Sequence, residues 1–388
     1  MTDRIYLDCA ATTPLNPEAR AAMQPWLNEQ YGNASSIHAE GRAAKEALDK
    51  ARETLSGALG CLFGEALFTG SGTEAANLAI VGAALAHEGR RRRILLGASE
   101  HQCVLNTRPI LERLGFTVES IPVDKFARAD LAALKHMLGD DVLLVSVMHA
   151  NNEVGSVNDP AAVAKLAKGA GALYHCDAVQ TFPWLNGNRW TVDDIGADLI
   201  NVSAHKLGGP KGVGGLYVRS GTKLKPLTAG GGQEREMRAG TENVAGAVGF
   251  AAAIHQAVED KNWSKRKSAA KAAFIDQLEK EDAPKFNQTV EDVEVLAGHL
   301  HIRFPGVSAE SMLILLDRLG VAISSGSACS SGAIEPSHVL LAAGWDKTAA
   351  NEGLRITFGC QTTLAEATEA AKRTADAASR IATEHART

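Results

Sequence analysis

The sequence predicts an α/β protein whose large domain holds a mainly parallel sheet between layers of helices. Short, almost continuously apolar runs alternate with helical patterns up to about residue 218, as strands covered on both faces require. A chain of 388 residues with 45% hydrophobic and 22% charged residues can bury a large core and supply a second domain. Beyond that point the pattern changes to one of longer helices and few strands.

The strands of the large domain are predicted from runs that end in Gly, Pro or polar residues. In chain order they are "ALFTG" (66–70), "RILLG" (93–97), "FTVESIPV" (116–123), "DVLLVSVMH" (141–149), "ALYHCD" (172–177), "ADLINVS" (197–203) and a run ending near Val218. Helical patterns such as "TEAANLAIVGAALAH" (73–87) and "PAAVAKLAKGAG" (160–171) separate them. This alternation favours parallel pairing through helical crossovers.

A smaller α+β domain is predicted from the remaining chain. One long helix from about Asn243 to Lys280 joins the domains, and strand-like runs follow at 299–306 and 353–359. The last helix begins with a capping box, Thr363 to Glu366. The predicted boundaries are residues 15–257 for the large domain and 1–14 with 258–388 for the small one.

Composition excludes several classes of function. The formal net charge of −5 argues against nucleic acid or an anionic membrane as partner, and no apolar run is long enough to span a bilayer. The N-terminus lacks the apolar region of a secretory signal. Six cysteines without CxxC or regular spacing indicate free thiols in a reducing compartment, the cytoplasm, and no metal site is predicted.

A glycine-rich turn, "TGSGTEAAN" (69–77), follows the first strand of the large domain and begins a helix. Free N–H groups at Gly72 and Thr73 favour a phosphate there. The stretch also fits a dinucleotide fingerprint, or a plain turn that caps a helix through Ser71 and Glu74.

Three further strand ends carry chemical groups. Lys206 in "NVSAHKLGGPKG" (201–212) is either a desolvated amine or a solvated turn lysine. Asp177 in "YHCDAVQT" (174–181) is either a helix cap or the partner of a protonated ring nitrogen. His101 in "ASEHQCV" (98–104) belongs to the same sheet edge and is placed to stack on a ring. Phosphate donors, an amine and a ring-pairing carboxylate together match pyridoxal 5′-phosphate (PLP).

The chain resembles the cysteine desulfurases of the class V aminotransferase superfamily, which are PLP enzymes of fold type I. The resemblance covers essentially the whole chain, and it is carried by "YLDCAATTP" (6–14), "GNASSIH" (32–38), "TGSGTEAAN" (69–77), "SEHQCVL" (99–105), "MHANNEVG" (148–155), "HCDAVQ" (175–180), "SAHKLGGPKG" (203–212), "GGGQEREMRAGTENV" (230–244), "SSGSACSSG" (324–332), "EPSHVL" (335–340) and "LRITFG" (354–359). The long loop around the cysteine at 329 is similar to that of the NifS/IscS-like group. A seven-stranded sheet is implied for the large domain.

The resemblance also implies a role for each matching residue. These are Lys206 as Schiff-base lysine and proton acceptor, Asp177 on the pyridinium nitrogen, Gln180 on the ring hydroxyl, His101 stacked on the ring and active in proton transfer, Gly72, Thr73, Ser203 and His205 on the phosphate, Thr241 on the phosphate of the other subunit in a homodimer, Asn152 and Arg355 on the substrate carboxylate, and Cys329 as the nucleophile. The substrate is L-cysteine, the products are L-alanine and a Cys329 persulfide, and the sulfur passes to an acceptor such as an iron–sulfur scaffold protein.

Cys329 best distinguishes a cysteine desulfurase from the alternative functions, because its neighbours in "SSGSACSSG" are too small to pack a core around it. A selenocysteine lyase or an aminotransferase would keep Lys206 and Asp177 without needing this thiol. A nicotinamide dehydrogenase would leave Lys206 and Asp177 unexplained. A non-catalytic PLP-binding protein would be expected to lack Lys206 or Cys329.

Overall fold

The computed structural model describes residues 4–325 and 336–385, which form fourteen strands and fourteen α-helices. The strands are β1 (Ile5–Tyr6), β2 (Ala66–Thr69), β3 (Arg93–Gly97), β4 (Thr117–Ile121), β5 (Val142–Ser146), β6 (Leu173–Asp177), β7 (Trp184–Leu185), β8 (Asn188–Arg189), β9 (Leu199–Ser203), β10 (Gly214–Val218), β11 (Asn287–Gln288), β12 (His299–Arg303), β13 (Val321–Ala322) and β14 (Gly353–Thr357). The helices are α1 (Pro17–Leu27), α2 (Ala39–Leu59), α3 (Gly72–Ala86), α4 (Gln102–Leu105), α5 (Arg108–Arg113), α6 (Leu131–Met137), α7 (Pro160–Gly169), α8 (Val192–Ile195), α9 (Val244–Glu259), α10 (Trp263–Leu278), α11 (Ala309–Arg318), α12 (His338–Ala342), α13 (Lys347–Ala350) and α14 (Leu364–His385).

The large sheet has seven strands in the order β2-β10-β9-β6-β5-β3-β4, which confirms the predicted α/β architecture. Strand β10 runs antiparallel to both of its neighbours, and the other pairs are parallel. Strands β5 and β9 are buried at every position, as their continuous apolar character predicts. The carboxyl ends of β3, β5, β6 and β9 therefore meet at one edge, where the polar residues of the sequence motifs follow.

Separate apolar cores lie on the two faces of this sheet. One includes Leu55 of α2 and Phe250 of α9, and the other includes Ile80 of α3. Helix α3 is buried along most of its length after the first turn, and it begins with Ser71 as its cap, whose hydroxyl accepts from Glu74 N at 3.0 Å. The Glu74 carboxylate instead accepts from Gly70 N at 2.8 Å, so the capping box is only half formed.

A further core lies outside the large sheet. It packs α10, α11 and α14 against β12 and β14, and it also includes Ile5 and Leu7 from the N-terminus. Strand β1 pairs in parallel with β13, which ties the first residues to the C-terminal part of the chain. The predicted capping box of the last helix is present, with Thr363 and Glu366 exchanging bonds of 2.8 and 3.1 Å. None of the described helices is long and apolar enough to cross a membrane.

The predicted long helix from Asn243 to Lys280 is wrong in one respect, because the structure divides it into α9 and α10. The break falls at Asp260, whose Oδ1 accepts from Asn262 N at 3.2 Å and from Arg266 Nη1 at 3.0 Å. These local bonds compete with the helical backbone pattern, as short acidic side chains commonly do.

Candidate active site

Lys206 lies in a short 3-10 turn, Ala204–Lys206, directly after β9. Its amine donates to the carbonyl oxygens of Ala10 and Ala11, the latter at 2.8 Å. Desolvation, helped by Arg355, lowers the pKa of Lys206 to about 8, although Asp177 and Asp8 oppose the shift. Lys206 is therefore a desolvated amine held by two backbone acceptors, and not a solvated turn lysine.

The N-terminal "ATTP" stretch fixes the turn that carries Lys206. Thr13 Oγ1 donates to His205 O at 2.8 Å and accepts from Gly208 N at 2.8 Å. Gly208 has a φ of +83°, a left-handed conformation that favours glycine. The sequence analysis quoted this N-terminal motif but gave it no role, because its contribution is made largely through backbone carbonyls that a sequence does not show.

Asp177 is the last residue of β6 and is 6% exposed. Its Oδ1 accepts from Val179 N at 2.9 Å, which fixes the carboxylate at the sheet edge. The charge of Asp177 raises the pKa of both Lys206 and His101 against the lowering effect of burial, so the three groups share one electrostatic environment. Gln180 follows three residues later, and its Nε2 donates to Ala10 O at 3.2 Å, the carbonyl that also accepts from Lys206.

A polar cradle lies at the N-terminus of α3. Ser203 is 2% exposed, and its Oγ has no hydrogen-bond partner among the described residues. A Cβ at Gly72 would lie 3.2 Å from the Ser203 Cβ, so the glycine allows β9 and α3 to approach closely. Thr73 is exposed at the same helix start, and His205 lies on the turn after β9. An orphaned buried hydroxyl beside free helix amides fits a phosphate group.

Two histidines, His101 and His205, are also predicted to contact the cofactor. His101 caps α4 by accepting from Cys103 N at 3.1 Å through Nδ1. Desolvation lowers the pKa of His101, and Lys206 adds to the effect. His205 Nδ1 lies 3.1 Å from Thr12 Oγ1, and burial with nearby Lys206 lowers the pKa of His205 to about 4. Both imidazoles are therefore neutral at pH 7.

Arg355 contacts the backbone of Asn152, the other residue predicted to bind the substrate carboxylate. Arg355 is 5% exposed, and its Nη1 donates to Asn152 O at 3.1 Å. Its Nη2 donates to Asp8 Oδ1 at 2.8 Å, and its Nε is buried without a partner in the described part of the chain. The Asp8 contact was missed by the sequence analysis. An unsatisfied guanidinium donor at this position is suited to an incoming carboxylate.

Thr241 and Cys329 are the two remaining residues of the predicted site. Thr241 is exposed in the loop before α9, where Arg238 of the same loop contacts Glu74 of α3 at 2.9 Å. Cys329 lies outside the described residues. The chain on either side reaches the site, because Ser324 exchanges backbone bonds of 3.1 and 2.6 Å with Arg355, and His338 Nε2 lies 2.9 Å from Glu100 O.

The chain is similar to known proteins over almost its whole length. Residues 5–369 match the family model described as aminotransferase class-V. The chain is 42% identical over 370 residues to "Cysteine desulfurase IscS" of Dictyoglomus turgidum, covering 94% of this chain and 91% of that protein. It is also 42% identical over 382 residues to "Putative cysteine desulfurase IscS 1" of Bacillus subtilis, covering 98% and 100%. A solved "NifS-like protein" superposes with a TM-score of 0.88 at 33% identity, covering 96% of this chain and 98% of that one.

The chain therefore belongs to the aminotransferase class-V family. Within that family its relatives are the cysteine desulfurases of the IscS and NifS type, which confirms the predicted enzyme class.

Proposed function

We propose that the chain removes sulfur from L-cysteine with PLP as cofactor, releases L-alanine and holds the sulfur as a persulfide on Cys329. The observation that carries the proposal is the desolvated Lys206 amine, whose pKa is lowered to about 8, beside the buried Asp177 carboxylate and the orphaned Ser203 hydroxyl at one sheet edge. A solved structure titled "SspA in complex with cysteine" superposes on this chain with a TM-score of 0.80 at 29% identity, which supports L-cysteine as the substrate.

The residues present fit PLP. Ser203, His205, Thr73 and the α3 N-terminus would hold the phosphate, as the unpartnered Ser203 hydroxyl supports. Asp177 would face the ring nitrogen, Gln180 the ring hydroxyl, and His101 the ring face. When bound, PLP supplies an electron sink for negative charge developing at the substrate Cα.

Side chains of the protein bind the substrate, accept its proton and take up its sulfur. Arg355 and Asn152 bind the substrate carboxylate, and neutral Lys206 accepts the Cα proton on its Nζ. The Cys329 thiolate attacks the substrate sulfur, so that an S–S bond forms while the Cβ–S bond breaks. The balance is L-cysteine plus a Cys329 thiol giving L-alanine plus a Cys329 persulfide, with no external oxidant. This proposal includes transfer of that sulfur to an iron–sulfur scaffold protein in the cytoplasm.

The proposed assembly is a homodimer with two shared sites. The support is the exposed Thr241 in a loop that is held at its other end by a buried ion pair. Glu234 of that loop accepts from Arg52 Nη1 and Nη2, both at 2.7 Å, and from Phe68 N at 2.9 Å. A rigid loop base with an exposed tip suits a residue that reaches into a partner's site. The division into domains 15–257 and 1–14 with 258–388 is part of the same proposal, and the separate cores support it.

Cys329→Ser tests the function directly. The variant should fold and take up PLP, yet release no alanine from L-cysteine, because a hydroxyl is a far poorer nucleophile towards sulfur than a thiolate. Mass spectrometry of the wild type after L-cysteine should find one added sulfur on Cys329 that a reductant removes. Cys61→Ser is the matched control, because Cys61 follows the C-terminus of α2 and has no role in the proposed site, and this variant should retain full activity. Wild-type desulfuration by Cys329→Ser would refute the proposal.

A further inference from the structure

A cavity of about 360 Å³, the α10 cavity, lies against helix α10 beside the turn that carries Lys206. Its lining includes Trp184 of β7, Trp263 and Lys267 of α10, and His299 of β12. The volume falls within the range of roughly 300–1,000 Å³ that small-molecule sites occupy. The cavity is therefore large enough to hold a small ligand, and the proposed reaction gives it no role.

The α10 cavity borders the proposed cofactor site but is distinct from it. Lys206 and Gln180 contribute to its wall, whereas His101, Asp177 and Arg355 do not line it. The carboxylate proposed to face the ring nitrogen, the stacking histidine and the substrate-binding arginine therefore lie outside the cavity. A ligand in the cavity would need none of these three groups.

Aromatic side chains form part of the cavity wall, namely those of Phe182, Trp184, Trp263 and Phe358. The indole N–H of Trp184 already donates to Ala257 O, so it is not available to a ligand. These rings present apolar surface to the cavity and favour a ligand with an apolar body.

Lys267 brings a positive charge without a counter-ion. Its Nζ lies 4.8 Å from the centre of the Trp263 ring, and it makes no ion pair or hydrogen bond with the described part of the chain. The nearby thiols of Cys9 and Cys360 do not compensate this charge, because burial raises the pKa of both, that of Cys9 to about 11. Desolvation lowers the pKa of Lys267, as expected of a cation that lacks a partner. An anion in the cavity would supply the missing charge.

The carboxylates that line the α10 cavity are used by other groups. Asp260 Oδ1 accepts from Arg266 Nη1 at 3.0 Å, and the Glu366 carboxylate accepts from Thr363 N at 2.8 Å in the capping box of α14. Neither forms an ion pair with Lys267 among the described residues, so the cavity keeps an uncompensated cation.

His299 adds a buried polar atom that lacks a partner. The residue is 7% exposed, and its Nε2 has no hydrogen-bond partner among the described residues. Desolvation lowers the pKa of His299, and the cations Arg355 and Lys267 add to the effect, so the ring is neutral at pH 7. A neutral ring with its proton on Nε2 would donate to a ligand oxygen, which would satisfy the orphaned atom.

We propose that the α10 cavity binds a small organic monocarboxylate, which pairs with Lys267, accepts a hydrogen bond from His299 Nε2 and packs its apolar body against Trp184 and Trp263. One lysine and one neutral imidazole match a single negative charge better than the two charges of a phosphate dianion. The proposal goes beyond the proposed desulfuration and does not depend on it.

Fluorine NMR of the holoenzyme with para-fluorobenzoate as the probe tests the site. The matched control probe is para-fluorobenzamide, which has nearly the same shape without the negative charge. The benzoate should bind about tenfold or more tightly than the benzamide, because hydrogen bonds to charged groups are stronger than those between neutral groups. Equal affinities of the two probes would overturn the proposal.

Substitutions locate the bound probe. Lys267→Met keeps the length of the side chain but removes its charge, so the affinity for para-fluorobenzoate should fall about tenfold or more. His299→Phe keeps a ring but removes the donor, and the affinity should fall about threefold or more. Lys271→Met is the control, because Lys271 lies one turn further along α10 and does not line the cavity, and its affinity should equal that of the wild type.

Arg355→Gln distinguishes the α10 cavity from the proposed substrate site. This variant should bind para-fluorobenzoate as tightly as the wild type, because Arg355 does not line the cavity. Unchanged affinity in Lys267→Met would overturn the proposal, and loss of binding in Arg355→Gln alone would place the probe at the substrate site instead. Cys329→Ser tests the reaction independently, so failure of the proposed function would be recognised separately.

Discussion

The rate at which the cofactor-free protein captures PLP should depend on pH as the environment of Lys206 dictates. Covalent capture needs the neutral amine, and desolvation lowers the pKa of Lys206 to about 8. At pH 7.5 about one quarter of such an amine is neutral, compared with about 0.1% for an ordinary lysine of pKa ~10.4. The rate of capture should therefore rise about tenfold per pH unit below pH 7, bend near pH 8 and be level by pH 9.

Stopped-flow absorbance after mixing with PLP at constant ionic strength measures this profile. Lys206→Ala should show no covalent capture, and Lys225→Arg is a control at an exposed lysine outside the site. Arg355 lowers the pKa of Lys206 and Asp8 raises it, so Arg355→Gln should move the bend to higher pH and Asp8→Asn to lower pH. A rate that still rises tenfold per unit between pH 9 and 10 would refute the reasoning.

Three further outcomes are expected. Glu234→Gln should lower the free energy of unfolding by about 3–5 kcal/mol in urea titrations, because it leaves the charge of Arg52 buried without its partner. The control is Asp317→Asn, which removes the exposed ion pair with Arg4 and should lower the free energy of unfolding by no more than about 1 kcal/mol. Ser203→Ala should leave stability unchanged, since its hydroxyl has no partner, yet weaken PLP binding about tenfold or more by losing a charge-assisted bond; a stability loss with unchanged affinity would contradict the phosphate role. Sedimentation should show a dimer, and Thr241→Ala should release PLP faster without dissociating it; a fully active monomer would be inconsistent with shared sites.

The large sheet was predictable because burial on both faces imposes continuous apolar runs. The run at 66–70 became β2 (Ala66–Thr69), and the run at 172–177 became β6 (Leu173–Asp177). The groups at strand ends were predictable for a related reason, since parallel strands direct their carboxyl ends to one edge. Lys206 and Asp177 are brought together by that rule.

The missed features depend on backbone groups and on long-range pairing. The carbonyls of Ala10 and Ala11 hold the Lys206 amine, and no side chain in the sequence indicates it. The helix break at Asp260 arises from a local bond to Arg266 that competes with a strong helical pattern. Glu100 looks in the sequence like any loop carboxylate, and only the structure shows that it is buried, with 1% of its surface exposed.

In the proposed function, the ion pair between Arg355 and Asp8 would link substrate binding to the strength of Lys206 as a base. Without substrate, desolvation and then Arg355 lower the pKa of Lys206 to about 8, which keeps a neutral amine available at pH 7.5. A substrate carboxylate at Arg355 would bring a negative charge that offsets the effect of Arg355 on the Lys206 pKa. If the substrate displaced Asp8 from Arg355, the Asp8 carboxylate would lose its cationic partner while remaining near the same amine. Both changes raise the pKa of Lys206. On the proposed function, the amine would therefore become a better proton acceptor when the proton it must remove is in place, and Arg355 would contribute to the proton transfer as well as to substrate binding.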